Sequence, residues 1–533
     1  MYRILVTDEI DPDGVALLKA VPEFQVDVVP TLKPAELLDR IGDYDAFVGR
    51  SATKISEDVL TRAKRLKVVG RAGVGIDNVA IGKATELGIA VINAPAGNTI
   101  AVTELFYGAL ISLLRQIPQA AHSMTEGRWD RSKLMGNELK GRTLGIAGVG
   151  RIGTEVAKRA HAFGMEVAGF DPYISDERFA ALRVRRCASF GELLEAADVV
   201  TIHTPLNDET RGMLGEAELR RLKQGAIVVN MARGGIVDDA ALLEALRSGH
   251  IRGAVLDVFA TEPLPADHPF RSAPNVVLTP HMGASTFEAQ RNVAVDVSEA
   301  VRDALLSGEL SRSLNVASVS REEWLELQPS MVVAERAAMV ARALLADRGH
   351  REVTRLAVRC GPGIIGGSDI LLSAAAVGVL SGVVESDRLN LISARTLAEI
   401  RGLELSVMES ERLEHPNALE VSVRAGREES CVQGVAAEGS PPRITKLDAF
   451  HVDVPPRKTL IVLTNKDVPG VIGRVGTLLG EARINIASYH QSRLAQGGDA
   501  LAAISVDDPV PREVCDRLLR LPDVRSATVV TFR

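Results

Sequence analysis

Cysteine is scarce, with 4 in 533 residues. Cys187, Cys360, Cys431 and Cys515 are scattered without metal-ligand spacing. They fit a reducing compartment rather than a disulfide scaffold. Long apolar runs are missing too. No segment reaches the roughly 18 continuous apolar residues of a membrane-spanning helix. The start, MYRILVTDEIDPDG, lacks the basic region and apolar run of a targeting signal. A soluble, cytoplasmic protein with no membrane partner is therefore expected. No long basic tract occurs, and 62 Lys+Arg against 69 Asp+Glu give a net charge of −7. That balance argues against nucleic acid as a partner. Hydrophobic residues make up 46% of the chain, ample for several cores. The length suggests about three to five domains.

What is present is an alternation of strands and helices. RILVTD, DAFVGR, LKVVGRAG and GIAVINAP are short strands with helical stretches between them. This is the spacing of a parallel sheet covered on both faces, an α/β class. Residues 99–120 read as one long helix leaving this unit, with Thr99 as its N-cap. A second series begins at Gly141 and runs through TLGIAGVG, GMEVAGFDP, ADVVTIHTP, GAIVVNMARG, GAVLDVFATEP and NVVLTPHMGAS. A helix follows Ser285 to about Leu310, and 311–320 read as a linker. From 321 the pattern changes to an amphipathic helix around 330–346. The short apolar stretch Leu371–Leu380 is a buried helix or strand edge. Strands joined by turns then predict an antiparallel or mixed sheet. Beyond Pro455–Pro456, about 75 residues run β-α-β-β-α-β, the ferredoxin-like order.

Ligands of open α/β sheets collect at the carboxyl ends of strands. There the sequence carries Gly148-Val149-Gly150-Arg151-Ile152-Gly153, between a strand and a helix. The first glycine permits the turn, the second lets a pyrophosphate approach, and the third packs helix on strand. Asp171 ends the next strand, 23 positions past Gly148. A carboxylate there accepts from ribose hydroxyls and repels a 2′-phosphate, favouring NAD over NADP. Arg151 stands beside the pyrophosphate or is a solvated helix residue.

Three polar residues follow three further strands: Arg233 in VVNMARGG, Glu262 in LDVFATEP and His281 in LTPHMGAS. Each alone is unremarkable, but together they supply a hydride-transfer set. Hydride leaves a carbinol carbon only as the hydroxyl loses its proton, so a general base is needed. Histidine is the side-chain type suited to that task near neutral pH, which makes His281 the candidate base. Glu262 would fix its tautomer, and Arg233 would clamp a carboxylate and polarise the adjacent carbonyl.

GIAGVGRIG, HTPL, NMARGG, LDVFATEP, PHMGAST, RAGVGIDN and NAPAGNTIAVTE together resemble the D-2-hydroxyacid dehydrogenase family. The resemblance implies two Rossmann-like doubly wound domains. The substrate-binding domain would be discontinuous, 1–98 and 283–315, with an NAD-binding domain, 99–282, inserted. An α+β intervening domain, 321–452, and a ferredoxin-like ACT domain, 459–533, would follow. It implies Arg233, Glu262 and His281 as catalytic. NAD would be held by Gly148, Gly150, Arg151, Ile152, Gly153, Asp171, Thr204, Pro205, Met231, Ala232, Arg233, Asp257 and the turn His281, Met282, Gly283 and Ala284. Asp257 either faces the nicotinamide amide or closes the strand with a turn hydrogen bond.

Substrate contacts would fall on Arg50, Arg71, Gly73, Val74 and Asn98. Trp129, Arg131 and Lys133 resemble a segment that reaches a neighbouring subunit's site. With four basic side chains and the C-terminal extension, the resemblance implies NAD-linked oxidation of 3-phospho-D-glycerate to 3-phosphohydroxypyruvate. That is the first step of phosphorylated L-serine synthesis. A hydroxypyruvate or glyoxylate reductase, or a non-catalytic NAD-sensing protein, are the rival readings. In the ACT domain Asp467 and Asn485 would hold an amino-acid effector such as serine. Thr464-Asn465-Lys466 departs from the aromatic or histidine that often precedes this turn. A homo-oligomer, dimer or tetramer, is implied as well.

Overall fold

The computed structural model describes residues 1–532 apart from 318, 384–387, 411–412 and 437–440. The first sheet contains β1 (Tyr2–Val6), β2 (Phe24–Val28), β3 (Ala46–Gly49), β4 (Val68–Arg71) and β5 (Ala90–Asn93). All its pairs are parallel, in the order β2-β1-β3-β4-β5. β3 and β5 are buried along their whole length, as continuous apolar strands require when both faces are covered. The helix Phe287–Ser307 returns to cover one face: Val293, Val297, Ala300 and Val301 share a core with Ile4, Val48 and Ile92. Gly14 lets the Pro12–Lys19 helix lie against it, since a Cβ there would sit 2.6 Å from the Ala294 carbonyl oxygen.

The second sheet is built from β6 (Thr143–Ala147), β7 (Glu166–Phe170), β8 (Arg185–Arg186), β9 (Val199–Ile202), β10 (Ala226–Asn230), β11 (Ile251–Leu256) and β12 (Val276–Leu278). Its order, β12-β11-β10-β9-β6-β7-β8, is the doubly wound dinucleotide-binding order. The strand order reverses between β6 and β9, which puts the Gly148 turn beside His203 and Thr204. In the first sheet it reverses between β1 and β3, beside Arg50.

Residues 99–120 do not form one helix. The chain is helical over Thr99–Leu114, breaks at Gln116 in the left-handed region (φ 51°), and resumes over Ile117–Thr125 at an angle of 65°. Pro118 lacks the amide hydrogen an uninterrupted helix would use. The N-cap is Asn98 rather than Thr99. The expected linker is a tie rather than a spacer. Asn315 accepts from Val91 N and donates to Thr85 Oγ1 and Ile89 O, and Leu314 N donates to Val91 O.

The third sheet is mixed, in the order β14 (Glu404–Glu409), β13 (Arg355–Cys360), β15 (Ala418–Ala425), β16 (Glu428–Val435), β17 (Arg443–Leu447), β18 (Phe450–Val454). It packs on the helix Arg321–Asp347, longer than the expected 330–346, and on Ser368–Leu380, which resolves Leu371–Leu380 as a buried helix. The fourth sheet is antiparallel, with β19 (Thr459–Lys466), β20 (Ile486–Arg493), β21 (Asp499–Val506) and β22 (Val524–Thr531) in the order β20-β21-β19-β22. One face carries two helices, Val471–Glu481 and Arg512–Leu519. Leu460, Val462, Leu501 and Ala503 on the other face join the core of the long helix. Among the described residues no single helix is long and apolar enough to cross a membrane.

Candidate active site

A cleft of about 1060 Å³ opens where the carboxyl ends of the first two sheets face each other. Arg50, Arg71, Gly73, Val74 and Asn98 line it from one lobe; Ile152, Thr204, Pro205, Met231, Ala232, Arg233, Asp257, Glu262 and His281 line it from the other. Gly283 and Ala284 join from the turn between the lobes. Topology thus gathers residues more than 200 positions apart.

The three polar strand-end residues meet there. His281 Nδ1 lies 2.7 Å from Glu262 Oε2, and Glu262 Oε1 accepts from Phe259 N at 2.9 Å. The carboxylate therefore holds the ring on one nitrogen and is itself held by backbone. The His281 side chain stays 50% exposed, open to a substrate. His281 has φ 49°, a left-handed conformation uncommon for a non-glycine residue, which the surrounding turn must hold.

Asp257 does the holding. It is 1% exposed, and its carboxylate accepts from Thr279 Oγ1, Met282 N and Gly283 N at 2.5, 2.8 and 2.9 Å. Burial pushes its carboxyl pKa up, against those three donors. Asp257 thus closes the turn, and it also lines the cleft. His203 also borders the cleft, but burial lowers its pKa to about 4, so it stays neutral. No carboxylate meets it among the described residues; its Nε2 lies 3.0 Å from Thr201 Oγ1. Of the two cleft histidines, only His281 has the partner a proton acceptor needs.

The substrate-side lobe presents cations. Burial, then the charges of Arg233 and Arg50, lower the Arg71 pKa to about 10. Its Nε is buried without a partner, and among the described residues no carboxylate pairs with Arg50, Lys54 or Arg71. Asp77, which pairs with Arg233, and Asp8 offset part of this charge, and the remaining crowded cations favour an anion. Two glycines make room for them. A Cβ at Gly73 would lie 1.6 Å from Arg71 Nη1, and one at Gly75 1.9 Å from Arg233 Nη2.

The dinucleotide motif has the geometry its residues imply. Gly148 (φ 89°) packs on β9, where a Cβ would lie 2.7 Å from the His203 carbonyl oxygen. A Cβ at Gly153 would lie 2.2 Å from the Gly148 carbonyl oxygen, whereas Gly150 faces open space. The helix Arg151–Ala162 starts without a side-chain cap, so its first amides face outward. Asp171 accepts from Val149 N and Tyr173 N at the end of β7. These features fit a bound dinucleotide.

Other expected positions lie apart. Arg131 sits with Lys133 in an exposed turn outside its own chain's cleft, and Trp129 is 79% exposed. Met282, 38% exposed, is not among the residues that line the cleft. In the fourth sheet Asp467 accepts from Arg493 and Gly497 N, while Asn485 donates to Asp507, so each is engaged locally. Asn465 is fully buried with Oδ1 unpartnered. Lys54, Asp77 and Gln290 also line the cleft and were missed. Lys54 shares a loop with Arg50, and Asp77 follows the RAGVG glycines, so proximity to residues already chosen was the available signal.

Residues 107–283 match the model of the D-isomer specific 2-hydroxyacid dehydrogenase NAD-binding domain. The chain is 38% identical to a D-3-phosphoglycerate dehydrogenase of Methanocaldococcus jannaschii, over all of both chains. It is equally identical to one of Bacillus subtilis, over 99% of each. A solved NAD-dependent formate dehydrogenase from Staphylococcus aureus, in complex with NAD, superposes with a TM-score of 0.53 at 28% identity; the match covers 60% of this chain and 100% of that one. Full-length identity, the matched domain and the cleft together place the chain in the D-3-phosphoglycerate dehydrogenase family of D-isomer specific 2-hydroxyacid dehydrogenases.

Proposed function

We propose that this cleft carries out the NAD-dependent oxidation of 3-phospho-D-glycerate to 3-phosphohydroxypyruvate, the entry to phosphorylated L-serine synthesis. The observation that carries this reading is the presence, in one cleft, of a carboxylate-held histidine and of Arg50 and Arg71, with which no carboxylate pairs among the described residues. NAD, when bound along the Gly148–Gly153 turn and Asp171, supplies the hydride acceptor. Arg233 and the Gly73–Val74 backbone hold the substrate carboxylate. Arg50, with Lys54 beside it, meets the phosphate, and the charge of Arg71 lies between them. His281 takes the hydroxyl proton as C2–O becomes a carbonyl. Glu262 stabilises the imidazolium that results. Asp257 keeps the His281 turn in place. Closure of the two lobes excludes water and aligns the reacting atoms.

The lobe division supports this mechanism: residues 1–98 and 283–315 act as the substrate domain and 99–282 as the NAD domain. Residues 321–452 and 459–533 serve regulation and assembly. An amino-acid effector such as serine binds near Asp467 and Asn485, and the chain assembles as a homo-oligomer whose neighbour contributes Arg131. The unfilled acceptor on buried Asn465 supports a polar ligand near that turn.

Purified protein should reduce NAD with 3-phospho-D-glycerate, and absence of turnover with this acid overturns the reading. Asp171→Asn tests the cofactor assignment. Removing the charge that repels a 2′-phosphate should raise the NADP/NAD ratio of kcat/KM by about tenfold or more. An unchanged ratio would place the ribose elsewhere.

A further inference from the structure

Asp77 takes no part in the proton or hydride steps, yet it joins the two lobes. It stands in the loop after β4, and Arg233 follows β10 on the other side of the cleft. Arg233 Nε donates to Asp77 Oδ2 at 3.0 Å, and Nη1 donates to the Ala232 carbonyl at 2.6 Å. Nη2 meets no protein acceptor among the described residues. Gly75 permits this arrangement: its Cβ would lie 1.9 Å from Nη2 and 2.9 Å from Asp77 Oδ2. Two bonds thus fix the guanidinium in its plane and leave one terminal nitrogen free.

We propose that Asp77 is a positioning residue for Arg233, turning its free Nη2 toward the substrate carboxylate. The proposal rests on the carboxylate clamp assigned to Arg233 above. The ion pair is too exposed to matter much to stability, with 64% of the Asp77 side chain in solvent. Its value is geometric. A planar fork binds a carboxylate well only when its plane is set in advance. The contact also forms between lobes, so Arg233 is oriented as the cleft takes shape.

Three variants test this, each measured for kcat, KM and NADH affinity. Asp77→Ala should lower kcat/KM for 3-phospho-D-glycerate at least about tenfold, chiefly through KM, with NADH affinity unchanged. Asp77→Asn keeps an oxygen for Nε and should stay within about threefold of wild type. Gly75→Ala leaves the Asp77 charge but displaces the guanidinium, and should reproduce the loss even if Asp77→Ala fails to fold. Wild-type kinetics in Asp77→Ala would overturn the proposal. So would a KM lowered by more than about threefold in Asp77→Asn, which would make Asp77 a competitor of the substrate for Arg233. If the wild type instead oxidises another 2-hydroxyacid, the substrate assignment fails while the three variants still read the clamp, because the carboxylate is common to all such acids.

Discussion

His281→Ala should lower kcat by roughly 10²–10⁴-fold, the usual cost of losing a positioned general base. NADH affinity and melting temperature should change little. The expectation rests on where each part of the site is held. The His281 turn hangs on Asp257, whose three accepted bonds come from Thr279, Met282 and Gly283 rather than from the imidazole. Glu262 keeps its bond from Phe259 N when the ring is gone. The turn therefore survives while its proton acceptor is lost. His203 cannot substitute, because burial holds its pKa near 4 and leaves it without a carboxylate partner among the described residues. Steady-state rates with fluorescence titration of NADH check this. A kcat within about tenfold of wild type would remove His281 from the proton step.

Arg50→Ala should cost about 100-fold in kcat/KM for 3-phospho-D-glycerate and less than about threefold for D-glycerate, which has no phosphate. Charge-assisted hydrogen bonds lost from a cleft are worth about 2–3 kcal/mol, enough for that gap. The loop should keep its shape without the side chain. Arg50 N donates to Asp8 Oδ2, and the Arg50 carbonyl accepts from Asn78 Nδ2. Both anchors are backbone atoms that alanine retains. Equal losses on the two acids would mean Arg50 supports the cleft without reading the phosphate.

The sequence revealed what is local. Most strands of the first two sheets are apolar runs, the exposed Arg185–Arg186 pair of β8 and the half-polar β2 excepted, and Arg233, Glu262 and His281 lie in the loops that follow three of those runs. The Gly148–Gly153 turn was legible because its glycine spacing is local: Gly148 and Gly153 each answer a steric demand of the fold, and Gly150 leaves open space at the helix start. What the sequence concealed depends on partners distant in the chain. The 311–320 segment looked like a spacer because the bonds of Asn315 to Thr85, Ile89 and Val91 leave no periodic signal. The break at Gln116 was hidden because the apolar pattern continues through it, and only Pro118 hinted at a change of direction. Asp77 and Lys54 were invisible as site residues for a similar reason. Each is an ordinary loop charge until the fold sets it against Arg233 or beside Arg50. The intervening unit is docked in the same way: Asn390 donates to the Gly88 carbonyl and Arg388 to that of Ala63, across some 300 residues.

The most direct measurement is NADH oxidation with 3-phosphohydroxypyruvate beside hydroxypyruvate and glyoxylate at matched concentrations. A phosphate-reading cleft predicts a kcat/KM at least about 100-fold higher for the phosphorylated acid, roughly 2.7 kcal/mol of transition-state binding. Equal or faster turnover of the unphosphorylated acids would contradict it, and would make the chain a general 2-hydroxyacid reductase in which Arg50, Lys54 and Arg71 serve some other end.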